Sequence, residues 1–466
     1  MKKTILLIFS VLLLFAVSGQ EITGQWNGIL KVSGAQLRLV FHIDRAGDGY
    51  SSTMDSPDQH ALGIPVTLTT FEKSVLKLLI EPLKAEFTGT YEGGEVIRGT
   101  FTQAGMSFPL DLSKKPVELQ KPARPQEPVL PYPYYSEEVK FENSADQVVL
   151  AGTLTLPARE GRFPAVVLIT GSGPQNRDEE VFGHKPFLVL ADYLTRNGIA
   201  VLRFDDRGVA QSTGNFKEAT TLDFARDAEA AVRLLKSRKE IDAAKIGLIG
   251  HSEGGIIAPI VAANQQDIAF LVLLAGTGIP GGELLLMQQK LIGQVLGVSE
   301  TELAQSRTIN AGAYELVARN ADPASLGEEL KDYFRQQLPN FPALQKPAGM
   351  EDAQLVARLA GQLANPWMRF FITYNPYPIL SKVKCPVLAL NGEKDLQVPA
   401  TENLAAIKEG LEKGGNPKVK TIALPGVNHL FQECKTGSPG EYTEIEQTFS
   451  PGVLKMIADW IKSNTR

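Results

Sequence analysis

One tight turn places the strongest constraint on how this chain can fold. Residues 245–250 form an apolar run typical of a buried strand, and a helical pattern begins a few residues later. The turn between them reads Gly250-His251-Ser252-Glu253-Gly254. A side chain at Gly250 or Gly254 would collide with the neighbouring strand or helix, because the chain reverses within so few residues. The sequence therefore predicts that the hydroxyl of Ser252 stands clear of the sheet, above the N-terminus of a helix.

The C-terminal two thirds of the chain alternate between two patterns. Continuous apolar runs, typical of strands buried on both faces, are separated by helical segments whose apolar residues recur every three or four positions. This alternation predicts an α/β fold with a doubly wound, mostly parallel sheet. Between residues 281 and 375 only helical patterning is found, which predicts an inserted helical cap over the strand ends where such sheets bind ligands. The apolar runs are 164–170, 200–204, 245–250, 270–274 and 386–390.

The chain has 466 residues, enough for two domains. Residues 20–115 contain short strand-like runs separated by turn residues, which predicts a small antiparallel β domain, either a barrel or a sandwich. Six prolines lie within residues 116–135 and predict an extended linker, since proline neither continues a helix nor pairs within a sheet. The α/β domain is expected at 136–466.

The first 19 residues are typical of a secretory signal peptide. Lys2 and Lys3 precede an apolar run at residues 5–17, and small residues follow it. The run is short for a transmembrane helix, so a retained membrane anchor is the less favoured alternative. We therefore expect an exported protein, periplasmic or secreted, with no membrane span once the signal has been removed.

Composition and residue spacing limit the partners. The net charge is −5 and no strongly basic block occurs, so no nucleic acid is expected as a partner. No His/Cys cluster has metal-ligand spacing, and neither a metal nor another cofactor is expected. The two cysteines, Cys385 and Cys434, are predicted at opposite edges of the sheet, too far apart for a disulfide, and are interpreted as free thiols.

A serine hydroxyl becomes a useful nucleophile when a base takes its proton. Of the five histidines, His429 follows the last predicted strand, and the chain order serine, acid, histidine favours it as the base for Ser252. His184 is the competitor; it precedes the serine and is interpreted as a residue that lines the pocket. The acid that orients the base is predicted to be Asp395, with Glu393 as the alternative.

The tetrahedral intermediate of acyl transfer needs preorganised hydrogen-bond donors for its oxyanion. One is predicted to be the backbone N–H of Glu253, which follows the nucleophile. The other is assigned to the N–H of Ser172, in the loop that follows the apolar run at 164–170. Gly171 and Gly173 flank Ser172, let the backbone approach the substrate closely, and are expected to line the pocket.

Five motifs follow one another along the second part of the chain: Thr170-Gly171-Ser172-Gly173-Pro174, Arg203-Phe204-Asp205-Asp206-Arg207-Gly208, Gly250-His251-Ser252-Glu253-Gly254-Gly255, Asn391-Gly392-Glu393-Lys394-Asp395 and Asn428-His429. In this order they resemble bacterial α/β-hydrolases of the serine aminopeptidase-like group, which includes two-domain carboxylesterases of the EstD type. The resemblance covers residues 136–466 and implies a serine carboxylic-ester hydrolase, acting on short-chain acyl esters through an acyl-enzyme. It also implies the same triad and oxyanion donors.

A serine peptidase of the same fold and a non-catalytic binding protein are the alternatives to this function. The expected partner is a small-molecule ester, with an acylated carbohydrate as one candidate, and the oligomeric state stays open.

Overall fold

The contacts within the protein divide it into two compact units, Met1–Gln120 and Lys121–Arg466. The predicted signal segment 1–19 lies outside the residues that the structure describes. Within the described residues, the search for a helix both long and apolar enough to cross a bilayer finds none. The computed structural model describes residues 22–32, 35–59, 61–103, 106–118, 123–320, 322–342 and 350–465.

The first unit is an antiparallel sheet, with nine strands in its described residues. These strands are β1 Gly24–Val32, β2 Ala35–Ala46, β3 Gly49–Ser56, β4 Ala61–Val66, β5 Leu68–Glu72, β6 Val75–Ile80, β7 Ala85–Tyr91, β8 Val96–Gln103 and β9 Met106–Ser113. Their order is β4-β3-β2-β1-β9-β8-β7-β6-β5. A hydrogen bond of 2.9 Å from Thr69 Oγ1 to Ser52 Oγ brings the two ends of the sheet together, so the sheet curls towards a barrel. Buried aromatic residues, Trp26, Phe41 and Phe87 among them, fill its core.

The second unit contains the predicted mostly parallel sheet, with eight strands among the described residues. They are β10 Tyr135–Asn143, β11 Val148–Leu156, β12 Phe163–Ile169, β13 Ala200–Phe204, β14 Ile241–His251, β15 Leu271–Leu274, β16 Val387–Gly392 and β17 Val419–Leu424. Their order is β10-β11-β13-β12-β14-β15-β16-β17, and the pairs from β13 to β17 are all parallel. The first two strands are antiparallel to their neighbours. The buried strands β12 to β16 supply the centre of the core.

Helices follow most of the parallel strands, and a group of them interrupts the alternation between β15 and β16. The helices are α1 Pro186–Arg196, α2 Thr221–Ser237, α3 Gly254–Asn264, α4 Gly281–Val295, α5 Glu300–Arg319, α6 Pro323–Gln337, α7 Asp352–Ala364, α8 Pro366–Thr373, α9 Tyr377–Leu380, α10 Ala400–Lys413 and α11 Pro451–Asn464. Helices α5 to α8 share a small apolar core of their own, which contains Ile309, Phe334 and Val356. The inserted helices therefore form a subdomain that packs around its own side chains.

The second half of the proline-rich segment packs on the second unit. The Arg124 guanidinium donates hydrogen bonds to the backbone carbonyls of Gly183 and Ile445, at 3.0 and 2.8 Å. The side chain of Gln126 accepts a hydrogen bond of 2.7 Å from the N–H of Thr448. These contacts hold the segment in place without any strand pairing, because side chains satisfy the backbone groups beside it. The predicted extended conformation is interrupted by a turn in which the N–H of Glu127 donates to the carbonyl of Arg124 at 3.0 Å.

A buried ion pair fixes the end of β13 to α2. The Arg207 guanidinium donates from Nε and Nη2 to the two carboxylate oxygens of Asp227, at 2.7 and 2.8 Å, and also contacts Asp146 at 2.7 Å. Asn143 donates a further hydrogen bond of 2.7 Å to Asp227. Both members of the pair are almost completely buried. The arginine after two adjacent acids in the sequence therefore has a structural role at this strand end.

We predict that Asp227→Ala lowers the free energy of unfolding of the second unit by about 3–5 kcal/mol, because it leaves a buried guanidinium without its main partner. Denaturant unfolding followed by circular dichroism measures this change. Asp459→Ala is the matched control: it removes the exposed ion pair with Lys455, and the unfolding midpoint should stay unchanged. Equal midpoints for the Asp227 variant and the wild type would contradict the prediction.

Candidate active site

The turn between β14 and α3 has the strained geometry that the sequence predicts. Ser252 has a φ of +52°, in the left-handed region that residues with a side chain seldom adopt. A Cβ atom added to Gly250 would lie 1.9 Å from the Gly254 carbonyl oxygen, and one added to Gly254 would lie 2.1 Å from the carbonyl oxygen of Ile169. The N–H of Ser252 donates to the carbonyl of Leu274 at 2.8 Å. The strand, the turn and the helix therefore pack backbone to backbone, and this steric requirement for glycine is confirmed.

Asp395 and His429, predicted from chain order, are hydrogen-bonded to each other. The distance from His429 Nδ1 to Asp395 Oδ2 is 2.8 Å, and both side chains are buried. Oδ1 of Asp395 accepts hydrogen bonds from the N–H groups of Gln397 and Val398, at 2.8 and 2.9 Å. These donors fix the carboxylate, whose Oδ2 accepts a hydrogen bond from Nδ1–H of His429. The lone pair of the imidazole is then on Nε2. Glu393, the alternative acid, is exposed.

Ser252 Oγ and His429 Nε2 are both without a hydrogen-bond partner among the residues that the structure describes. Their segments are close to each other: the ring of His251, next to Ser252, lies 4.8 Å from the ring of His429. Hydrogen bonds between a nucleophile and its base are often long in unliganded enzymes and shorten when substrate binds. The arrangement therefore leaves the serine hydroxyl and the free imidazole nitrogen available to a reacting group.

The predicted oxyanion loop passes directly beside the serine. A Cβ atom added to Gly171 would lie 3.2 Å from the Cβ of Ser252. In the described part of the chain, the backbone N–H groups of Ser172 and Glu253 donate to no protein acceptor. Gly171 and Gly173 line a small cavity that also borders Glu253. Two unpaired backbone donors near a nucleophile are the arrangement that an oxyanion requires.

Two acids at the end of β13 hold this loop. Asp206 accepts hydrogen bonds from Thr170 Oγ1 and from the N–H of Gln175, at 2.9 and 3.0 Å, and burial raises the pKa of its carboxyl well above the ordinary value. Asp205 binds Arg177 in a bidentate pair, at 3.0 and 2.7 Å. The two acids therefore fix the loop that carries the candidate donor Ser172.

Among the described residues, no group of three or more His, Cys, Asp or Glu side chains is arranged to hold a metal ion.

The side chain of Glu253 connects the turn to the inserted helices, a contact that the sequence analysis missed. Its Oε1 accepts hydrogen bonds from Thr221 Oγ1 on α2 and from the indole Nε1 of Trp367 on α8, each at 2.7 Å. Burial raises the pKa of Glu253 to about 7. No pattern in the sequence indicates this contact, because Trp367 lies more than a hundred residues away in an insertion without a motif.

The structure corrects the interpretation of His184 as a pocket-lining residue. Its ring is fully buried; Nε2 contacts the carbonyl oxygen of Tyr442 at 2.8 Å, and Nδ1 contacts Thr448 Oγ1 at 3.0 Å. Burial lowers the pKa of His184 to about 4, which keeps the ring neutral near neutral pH. His184 therefore ties the start of α1 to the segment before α11. Its place in a polar loop gave no sign that a distant segment covers it.

The architecture is that of the α/β-hydrolase fold. A strand-turn-helix raises a serine at the carboxyl end of a central parallel strand, and an acid and a histidine follow two later strands in the order Ser…Asp…His. The predicted fold class is confirmed: a doubly wound, mostly parallel sheet with inserted helices, and an N-terminal all-β unit that curls towards a barrel.

Comparisons with known proteins agree with this class. Residues 185–323, which include Ser252, match the family described as serine aminopeptidase, S33. The chain is 27% identical over 330 residues to the esterase EstD of Thermotoga maritima, and the alignment covers 71% of this chain and 68% of that protein. The predicted resemblance to this group of α/β-hydrolases is therefore confirmed.

Several solved structures are similar to this chain over 70–75% of its length. The α/β-hydrolase GrgF from a Penicillium species is 17% identical with a TM-score of 0.44, over 71% of this chain and 99% of that one. The esterase Pf2001 of Pyrococcus furiosus is 16% identical with a TM-score of 0.43, over 75% and 100%. Est1E from Butyrivibrio proteoclasticus with bound ferulic acid is 18% identical with a TM-score of 0.39, over 70% and 96%.

We predict that Gly254→Ala destabilises the second unit by about 3 kcal/mol, because the new methyl group must displace the backbone of β12. Gly361→Ala in α7 is the control: its Cβ meets nothing within 4 Å, and alanine in an exposed helix should raise stability by about 1 kcal/mol. Chemical denaturation measures both changes. A Gly254 variant as stable as the wild type would disprove the steric requirement at the turn.

The raised pKa of Glu253 predicts how the stability of the protein depends on pH. Its carboxyl pKa rises from 4.5 to about 7 on folding, so the native state binds more protons than the unfolded chain between these values. Ionisation of Glu253 therefore lowers stability progressively as pH rises through this window. Glu253→Gln retains the acceptor oxygen for Trp367 and Thr221 but does not titrate. Relative to the wild type, this variant should gain about 3 kcal/mol of unfolding free energy between about pH 4 and about pH 8.

Denaturant titrations at several pH values measure this difference. Glu180→Gln serves as the control, because Glu180 is exposed and its substitution should give no gain that depends on pH. A constant difference between the Glu253 variant and the wild type across the range would show that Glu253 does not titrate in this window.

Proposed function

We propose that this protein is an exported serine carboxylesterase that hydrolyses short-chain acyl esters, with Ser252, His429 and Asp395 as its triad. The observation that carries the proposal is the hydrogen bond of 2.8 Å between Asp395 and His429 Nδ1. It directs the free Nε2 of the imidazole away from the acid, on a ring that lies against the residue before Ser252. The identity to esterase EstD supports an ester as the substrate.

Acylation would begin when Ser252 Oγ attacks the ester carbonyl carbon while His429 Nε2 takes the hydroxyl proton. The Asp395 carboxylate holds Nδ1–H and stabilises the imidazolium that forms. The carbonyl oxygen becomes an oxyanion, and the N–H groups of Ser172 and Glu253 are the donors we assign to it. When the intermediate collapses, the bond to the alcohol oxygen breaks and His429 returns the proton to the leaving alcohol.

Deacylation would repeat the same steps with water. His429 takes one proton from a water molecule, the hydroxide attacks the acyl carbon, and the bond to Ser252 Oγ breaks as the proton returns to the serine. The products are the carboxylic acid and the alcohol, and the enzyme regains its starting state. No group beyond the residues named is needed to balance the reaction.

A serine peptidase is the second candidate, because the match to the family described as serine aminopeptidase, S33, favours it. The same three groups can cleave amides through the same intermediate. The first unit is too short for the large β-propeller found in some peptidases of this fold, at roughly forty residues a blade. The choice between the two therefore depends on the substrates that the inserted helices admit.

Turnover of p-nitrophenyl acetate, butyrate and octanoate, beside aminoacyl p-nitroanilides, tests the proposal. We expect hydrolysis of the short esters, a loss of about 10⁶-fold in kcat for Ser252→Ala and a loss of about 10⁴-fold for Asp395→Asn. The control is Ser463→Ala, an exposed serine on α11 that should change nothing. Turnover of the anilides alone would favour the peptidase, and no turnover of either class would favour a binding protein.

Export is part of the same proposal and needs its own test. When a bacterial host produces the full chain, the mature protein should begin at residue 20 and appear outside the cytoplasm. N-terminal sequencing and cell fractionation measure this. A chain that begins at residue 20 is the control and should stay in the cytoplasm with the same activity. An intact N-terminus on cytoplasmic protein would contradict export.

A further inference from the structure

The ring of His251 contacts the loop that carries His429. His251 is buried, and its Nε2 lies 2.9 Å from the backbone carbonyl oxygen of His429. A carbonyl oxygen only accepts, so Nε2 of His251 carries a proton and donates it. The rings of His429 and Phe431 pack against His251, with ring centres 4.8 and 6.1 Å away. One side of His251 thus holds the backbone of the base.

The other ring nitrogen contacts the oxyanion loop through Glu179. His251 Nδ1 lies 2.8 Å from Glu179 Oε1, and the same oxygen accepts a hydrogen bond of 2.7 Å from the N–H of Gly171. An oxygen that already accepts from the backbone can accept from Nδ1 as well, and both ring nitrogens of His251 would then be donors. This arrangement makes His251 an imidazolium that faces the carboxylate of Glu179, which is also almost completely buried.

We propose that Glu179 and His251 are positioning residues that set the relative placement of the base, the nucleophile and the oxyanion loop. The inference rests on the proposed serine hydrolase function. Glu179 holds Gly171, beside the assigned donor Ser172; His251 holds the backbone of His429 and is covalently attached to Ser252. Three segments from distant parts of the chain thus meet at one buried ion pair.

The energetics of burial explain why this pair fixes geometry. A buried charge that loses its partner is strongly destabilised, so each residue constrains the place of the other. Burial lowers the pKa of His251, but Glu179, the backbone carbonyl of His429 and Asp395 together raise it more, and the net pKa lies above the ordinary value. Among the described residues, the ring of His251 contacts the titratable groups Glu179 and His429, and Asp395 acts on it electrostatically. A displacement of about 1 Å in reacting groups can cost about 100-fold in rate, so the positioning matters for turnover.

Glu179→Gln tests the proposal kinetically, with Glu180→Gln as a matched control on the exposed next residue. The glutamine oxygen can still accept from Gly171, but without the carboxylate charge His251 should lose its second ring proton. We expect kcat for a short ester to fall by roughly 30- to 100-fold, with KM changed less than about threefold. An unchanged kcat in a folded Glu179 variant, or an equal loss in the Glu180 control, would overturn the proposal.

Nitrogen NMR of protein labelled at the histidine imidazoles measures the protonation of both ring nitrogens of His251 and does not require turnover. The His251 signals are assigned by their loss in His251→Gln. In the wild type at neutral pH both ring nitrogens should be protonated, and in Glu179→Gln only one. A neutral His251 ring in the wild type would overturn the ion pair. The NMR result does not depend on any substrate. A wild type that hydrolyses no ester would therefore refute the ester function without refuting the ion pair.

Two substitutions of His251 separate its two contacts. His251→Gln carries an amide nitrogen near the place of Nε2, and can still donate to the His429 carbonyl. His251→Asn carries one near the place of Nδ1, and can contact only Glu179. We expect Gln to retain about tenfold more of kcat than Asn, because it keeps the contact with the base. Circular dichroism checks folding, and equal losses in two folded variants would contradict the positioning of His429.

Discussion

The close backbone packing at the turn after β14 is the constraint on which the rest of the site depends. With no side chain at Gly250 or Gly254, helix α3 approaches β12 and β14 closely enough to hold Ser252 in a left-handed conformation. That strain is maintained because residues 165–169 of β12, 246–251 of β14 and 254–262 of α3 are buried and leave the turn no alternative path. The candidate nucleophile is thus fixed by the core itself, whereas Ser172 and His429 approach it from loops.

Four buried carboxyl groups surround this turn, and their surroundings give them different roles. Asp395 receives two backbone donors and faces an imidazole. Glu179 faces His251 and a backbone N–H. Asp206 and Glu253 have only neutral donors, so burial raises the pKa of each. The same functional group thus holds the imidazole of His429, faces that of His251 or keeps its proton to a higher pH, according to whether a charged partner is present.

Motifs with fixed steric or chemical requirements could be predicted from the sequence. The glycines of the turn, the two-sided burial of the strands, and the order of Ser252, Asp395 and His429 all follow from local pattern and chain order. The buried place of His184 could not be predicted, because a segment more than 250 residues later covers it. The contacts of Glu179 and Trp367 could not be predicted either, because their partners follow other strands of the sheet.

By itself the sequence determined the alternation of strands and helices, the separate N-terminal β unit and the identity of the residues at the strand ends. These depend on periodicity, glycine and proline, which act over a few residues. Only the tertiary structure decided which carboxylate meets which imidazole, which backbone donors stay unpaired and how α8 reaches the turn. Those contacts join residues far apart in the chain, and their geometry exists only after the parallel sheet has brought its strand ends together.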